Sequence, residues 1–302
     1  MSVLKHIDAG VLRVGYFEAG PEDGPVAMLM HGWPYAAHCY LEVMDLLAAR
    51  GIRTIAPFLR GFGPTRFLSD KTMRSGQQAA LGADLIALMD ALSIETATLA
   101  GFDWGGRAAS IMAALSPERV AGLVSCGVGY NIQDIAHAND PGAVEEETRF
   151  WYIYLFNTER GRTQLASDRQ GFGKFIWQLW SRNWDFSQAT YDQTAASFEN
   201  PDYVDVVIQS YRHRLGGVPG DPAFSDIEAQ LAGLPNITVP TVILQGTDDA
   251  VDPPSEGDPF RSKFTSNYER RVLERVGHNP PQENPVAFAG AVLNVMGYDQ
   301  KL

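Results

Sequence analysis

Residues 101–106, Gly-Phe-Asp-Trp-Gly-Gly, set a carboxylate between two glycines in the spacing glycine, any residue, acid, any residue, glycine. A serine in that spacing stands on a sharp strand-to-helix turn, the nucleophile elbow, which lifts its hydroxyl above a sheet. Here the lifted group is the side chain of Asp103, and a carboxylate selects a different electrophile. Attack on an acyl group would give an anhydride, whereas attack on a saturated carbon gives an ordinary ester that water can cleave. The remaining groups follow in the order nucleophile, acid, histidine. The stretch QGTDDAVDPP (245–254) offers Asp248 or Asp249, with Asp249 closing the G-x-x-D spacing, and RVGHNPP (275–281) offers His278. His278, aligned by Asp249, would activate the water that releases the ester. Upstream, HGWP (31–34) supplies the backbone N–H of Trp33, which with that of Trp104 would form an oxyanion hole around one oxygen of Asp103. Pro34 contributes a fixed φ to that turn.

These residues need a scaffold that brings strand ends together. Short β-branched and aliphatic runs alternate with helical patterns, which predicts an α/β fold with a mostly parallel sheet wrapped by helices. Strands are predicted at 26–32, 52–58, 96–102, 120–128, 240–246 and 270–276, a helix between Ser75 and Leu92, and an alanine-rich helix from the elbow to Ser116-Pro117. From about residue 131 to 234 the rhythm breaks into an aromatic-rich helical stretch between two strands, read as an inserted cap. The core is therefore 1–130 plus 235–302, and the cap 131–234. Most cap aromatics are read as packing between cap and core.

With 302 residues, 45% hydrophobic and 20% charged, the chain can bury a large core. A formal net charge of -12 argues against nucleic acid as a partner and for a small neutral or apolar molecule. Cys39 and Cys126, the only cysteines, suit neither a metal site nor a disulfide framework. No apolar run reaches membrane-spanning length and the first residues lack an apolar signal core, so a cytoplasmic protein without a membrane partner is expected. Exposed cap surfaces are the candidate face for a homodimer.

GFDWGG, HGWP, RGFGPT (60–65), GTDDAVDP and VGH together resemble the epoxide hydrolases of α/β-hydrolase fold and their dehalogenase relatives. The resemblance covers most of the chain, strongly in the core and weakly in the cap. It implies an eight-stranded sheet, a covalent alkyl-enzyme on Asp103, and no metal or organic cofactor. It also implies two cap tyrosines that protonate the epoxide oxygen. SYRHR (210–214) gives Tyr211, and FWYIYLF (150–156) gives Tyr152, with Tyr154 as second choice. His31, Trp33, Pro34, Trp104, Tyr154 and Trp177 are expected to line the substrate pocket. Arg107 matches one of two arginines by which fluoroacetate dehalogenases hold a carboxylate, but Trp104 stands where the other would be, and Arg107 is read as the start of a helix. Hydrolytic dehalogenation of a haloalkane or haloacetate is the alternative activity, and a non-catalytic ligand-binding protein a second.

Overall fold

The aliphatic runs become the inner strands because a strand covered by helices on both faces must be apolar on both. A computed structural model describes residues 2–299. Its strands are β1 (Val3–Ala9), β2 (Leu12–Ala19), β3 (Val26–Met30), β4 (Arg53–Pro57), β5 (Arg66–Phe67), β6 (Ala97–Gly101), β7 (Val120–Cys126), β8 (Thr241–Gly246) and β9 (Tyr268–Leu273). They form one sheet in the order β1-β2-β4-β3-β6-β7-β8-β9, with the two-residue β5 beside β2. From β4 to β9 all neighbours are parallel, and β1 and β2 add an antiparallel edge. All five residues of β6 and all six of β8 are buried.

Parallel neighbours need crossover helices. On one face α1 (Leu41–Ala48) packs against the C-terminal α12 (Pro285–Val295); on the other α2 (Gln78–Ala91) packs against α3 (Asp103–Leu115). Between β7 and β8 the chain leaves the sheet and forms α4 (Val144–Arg149), α5 (Trp151–Phe156), α6 (Glu159–Ser167), α7 (Arg169–Trp180), α8 (Gln188–Ala195), α9 (Tyr203–Arg214) and α10 (Ser225–Leu231), while the short α11 (Pro280–Glu283) follows β9. The insertion is tied down by polar bonds as well as by rings. Trp177 Nε1 donates to the Pro34 carbonyl at 2.9 Å, Trp33 Nε1 to the Tyr203 hydroxyl at 3.0 Å, and Arg74 Nε to Asp202 at 2.9 Å.

The glycines of the elbow are required by contact. A Cβ on Gly105 would lie 2.0 Å from the Met30 carbonyl oxygen, and one on Gly101 would lie 2.5 Å from the Gly105 carbonyl carbon. Only glycine lets α3 begin directly against β3 and β6. Cys39 and Cys126 are both buried and unbonded to each other. No helix among the described residues is long and apolar enough to cross a membrane.

Candidate active site

Asp103 opens α3 with a φ of 51°, the left-handed region that a non-glycine residue occupies at a strain on the order of 1–3 kcal/mol. The neighbouring turn makes room for it. A Cβ on Gly32 would approach Asp103 Cβ to 2.5 Å, so the glycine of HGWP admits the carboxylate. The next residue, Trp33, donates its backbone N–H to Asp103 Oδ1 at 2.7 Å. The Trp104 N–H, the second donor expected, makes no hydrogen bond to the carboxylate, and a helix N-terminus that leaves an N–H free has it ready for an acceptor.

Asp249 and His278 come from the loops after β8 and β9. His278 Nδ1 lies 2.9 Å from Asp249 Oδ2, and Nε2 faces Asp103 Oδ2 at 3.9 Å, close enough for ion pairing and too long for a hydrogen bond. Asp249 Oδ1 also accepts the backbone N–H groups of Val251 and Asp252 at 2.8 and 3.0 Å, which fixes the carboxylate. Asp248 turns away to bond Asn183 and Thr247. Burial alone would strip the proton from His278, but Asp249 and Asp103 together outweigh it and hold the imidazole well above its usual range. Burial likewise opposes charge on Asp103, and His278, Arg107 and the Trp33 N–H overcome it, keeping the carboxyl below the ordinary carboxylate range. Burial, followed by the charge of Asp249, pushes the neighbouring Asp252 up to about 6.

The insertion closes over this cluster with aromatic rings. Tyr211 of α9 packs edge-on to Trp33, with ring centroids 5.3 Å apart, and against Trp104 at 5.8 Å, so its ring touches both residues that flank Asp103 in space. Tyr152 of α5 stacks on Trp33 at 5.5 Å and meets Tyr211 at 5.3 Å. The Tyr211 hydroxyl is buried and has no hydrogen-bond partner among the described residues. Burial raises both phenols above their usual range, so both keep their protons at neutral pH.

A cavity of about 340 Å³ reaches Asp103 and is walled by Arg107, Tyr152, Phe150, Arg214 and Asp252 among others. The expected pocket lining needs correction. His31 is an internal strut whose Nε2 accepts the Leu59 N–H at 3.1 Å while Nδ1 faces the Gly32 carbonyl, and burial brings it down to about 4. Trp33, Pro34 and Trp104, like Tyr211 and His278, are buried and are not among the residues that wall the cavity. Trp177 is wedged between Tyr35 and Trp184, with its N–H on Pro34, and does not reach the cavity. Tyr154 does line the cavity, but it is 48% exposed and its hydroxyl is held by Glu147, which removes it as a choice for the second proton donor. Residues two apart on a helix point about 200° apart, so Tyr152 turns its ring inward and Tyr154 turns its hydroxyl to the outer rim of the cavity.

Sequence reasoning missed the clamp that holds the His278 loop. Glu283 of α11 accepts the N–H groups of Gly277 and Asn279 at 2.6 and 2.9 Å and the Ser181 hydroxyl at 2.7 Å, and Ser181 Oγ accepts the His278 N–H at 3.0 Å. Three successive backbone donors are thus fixed by one carboxylate and one hydroxyl. The nearest signal was Glu283 just beyond VGHNPP; nothing in the sequence connects Ser181 to that loop. Glu283→Ala leaves buried donors unmet, so thermal unfolding should show a loss of about 1–3 kcal/mol, and turnover should fall by roughly 10–100-fold through misplacement of the imidazole. An unchanged kcat would mean that the loop holds its geometry without the clamp.

Residues 25–285 match the α/β hydrolase fold family. A solved structure of a candidate epoxide hydrolase from Klebsiella pneumoniae subsp. pneumoniae MGH 78578 is 46% identical, with a TM-score of 0.94 over 97% of this chain and 96% of that one. The chain belongs to the α/β hydrolase fold family, in its epoxide hydrolase branch. Among curated relatives in this family, epoxide hydrolase A of Mycobacterium tuberculosis (strain ATCC 25618 / H37Rv) is 24% identical over 96% of each chain. Epoxide hydrolase 3 of Siraitia grosvenorii is 31% identical over 130 residues, and the match spans 40% of that protein's length and 43% of this chain. In α/β hydrolase fold terms Asp103 occupies the elbow, Asp249 and His278 the loops after the last two strands, and α4–α10 the insertion after β7.

Proposed function

We propose that this protein hydrolyses an epoxide to a vicinal diol through an ester on Asp103. In the first step an Asp103 oxygen forms a bond to one ring carbon, the carbon–oxygen bond of the ring breaks, and the departing oxygen takes a proton from Tyr211 or Tyr152. In the second step the His278 imidazolium passes its proton to the tyrosinate, and the neutral imidazole then takes a proton from water, whose oxygen bonds to Asp103 Cγ; the ester bond breaks, the departing alkoxide takes the proton left on the former water oxygen, the diol leaves, and His278 is again an imidazolium beside a carboxylate. The freed carboxylate carries one oxygen from water. Negative charge on the tetrahedral centre would fall to the N–H groups of Trp33 and Trp104. The relatives' names and the identity to the Klebsiella protein support the reaction class.

One observation carries the choice of an epoxide over a halide. The buried, unpartnered hydroxyl of Tyr211 belongs to a ring packed on both Trp33 and Trp104, next to a second phenol that lines the cavity. An alkoxide leaves poorly without a proton, and a neutral phenol can supply one; a halide needs none.

The resting ion pair also suits the order of steps. Alkylation removes the charge of Asp103, one of the two groups that hold the proton on His278, so the imidazolium gives that proton to the tyrosinate and becomes a free base when the ester needs one. To test the assignment, diol formation from styrene oxide and halide release from 1-bromobutane and chloroacetate are measured side by side. Diol formation is expected, and Tyr152→Phe with Tyr211→Phe together should lower it by about 10²–10⁴-fold. Full activity of the double variant, or halide release alone, would overturn the epoxide reading.

A further inference from the structure

Arg107 lies one helical turn after Asp103 in α3, is only 8% exposed, and has no ion pair among the described residues. Its Nε is buried without a hydrogen-bond partner. Other arginines tied into the fold are matched with carboxylates: Arg60 with Asp84 at 2.6 Å, Arg53 with Glu18 at 2.7 Å and Arg74 with Asp202 at 2.9 Å. Arg214, the last residue of α9, is likewise without an ion pair and rests over the Phe150 ring at 5.4 Å. With the Gln133 amide oxygen turned toward them, Arg214 Nε donates to it at 3.0 Å and Arg107 Nη2 at 3.3 Å, so one neutral oxygen bridges two guanidinium groups. Both arginines line the cavity that reaches Asp103.

The carboxylate within electrostatic reach of Arg107 is Asp103, which also serves His278, and neither arginine is ion-paired with it; a buried cation without a carboxylate of its own is costly in a folded protein, and the half-buried Arg214 beside it adds to that cost. Burial and the charge of Arg214 already lower the proton affinity of Arg107. A guanidinium presents a planar fork that matches a carboxylate with two hydrogen bonds. We infer that Arg107 and Arg214 form a subsite for a carboxylate, so that the substrate is an epoxide bearing a carboxylate group within the same cavity. The inference rests on the epoxide hydrolase reading above for the reacting end of the molecule.

The charge balance favours a monoanion once Asp103 is esterified. Asp103 and Asp252 are the half-buried carboxylates that share the cavity with the two guanidinium groups, and Asp252, though pushed up to about 6, still carries charge at neutral pH. Once Asp103 is esterified its charge disappears, and the guanidinium pair then holds the substrate carboxylate through the hydrolysis step. The remaining acidic residues of the cavity wall, Asp134, Asp140, Glu146 and Glu147, belong to its solvent-facing parts, where their repulsion is screened.

Two matched pairs of probes test this. Turnover is compared on 3-phenylglycidate and the neutral 3-phenylglycidamide, and calorimetric binding on the unreactive 3-phenylpropanoate and 3-phenylpropanamide. The acid is expected to exceed the amide at least tenfold in kcat/KM and in affinity. Arg107→Gln and Arg214→Gln should each cut that ratio at least tenfold, and Arg214→Lys should restore part of it. Equal treatment of acid and amide by the unaltered protein, or an unchanged ratio in both glutamine variants, overturns the subsite. Preferential binding of the unreactive acid without opening of either epoxide would uphold the subsite and sink the hydrolase reading; opening of the amide without preference would do the reverse.

Discussion

Asp103→Ala is expected to lower kcat by about 10⁴-fold or more, because Asp103 alone stands on the elbow turn, while the Asp249 carboxylate is engaged by His278 and by the Val251 and Asp252 N–H groups. The loss should be chemical rather than structural. Asp103 occupies a strained backbone position, and removing its carboxylate also removes its bond to the Trp33 N–H, so gain and loss offset one another in stability. Far-ultraviolet circular dichroism should therefore match that of the unaltered protein, while no covalent adduct forms with any epoxide. Residual turnover above about one per cent would mean that Asp103 is not the alkylated group.

His278→Gln should fail in a different place. Alkylation needs only the Asp103 carboxylate and a proton donor, whereas release of the ester needs a base, so steady turnover should drop by about 10³–10⁴-fold while the alkyl-enzyme accumulates. Intact-protein mass spectrometry after mixing with substrate should show one added substrate mass. The unaltered protein supplies a second readout of the same residue. Asp249 and Asp103 raise the imidazole pKa in the resting state, so protonation of His278 stabilises the fold fully below its ordinary value near ~6.5, and that contribution is lost as pH rises through the raised one. In the ester the contribution of Asp103 is gone, so the rate of ester hydrolysis should titrate at a lower pH than the imidazole of the resting protein followed by nuclear magnetic resonance. A common pKa for both would contradict the proposed link between alkylation and base formation.

Most of the core could be read from local pattern. The strands predicted at 26–32, 96–102 and 240–246 are Val26–Met30, Ala97–Gly101 and Thr241–Gly246, because strands buried on both faces are largely apolar. The antiparallel strands β1 and β2 escaped notice: VLKHIDA is largely exposed and LRVGYFEA mixes polar and apolar residues, so neither stands out as an apolar run. In the site, Asp103, Asp249, His278 and Trp33 could be placed because each sits at a strand end, where the fold fixes a side chain's direction. Trp177 and Tyr154 could not, since the facing of a helix in the insertion depends on how it docks. Arg107 could be seen but not understood. Its meaning depends on Arg214 and Gln133, which the folded chain brings from α9 and from the segment after β7, and on the lack of any carboxylate paired with it. Ser181 and Glu283 are a similar case, joined only by the docking of α7 against the loop that carries His278.

The central claim is that a substrate carbon is bonded to Asp103 before water arrives, and the fate of one oxygen atom decides it. A single turnover with protein in excess, run in water enriched in oxygen-18, should leave the heavy atom in the peptide that contains Asp103 and give an unlabelled diol. Label in the diol and none in that peptide would mean that water attacks the epoxide directly, and the account would be wrong.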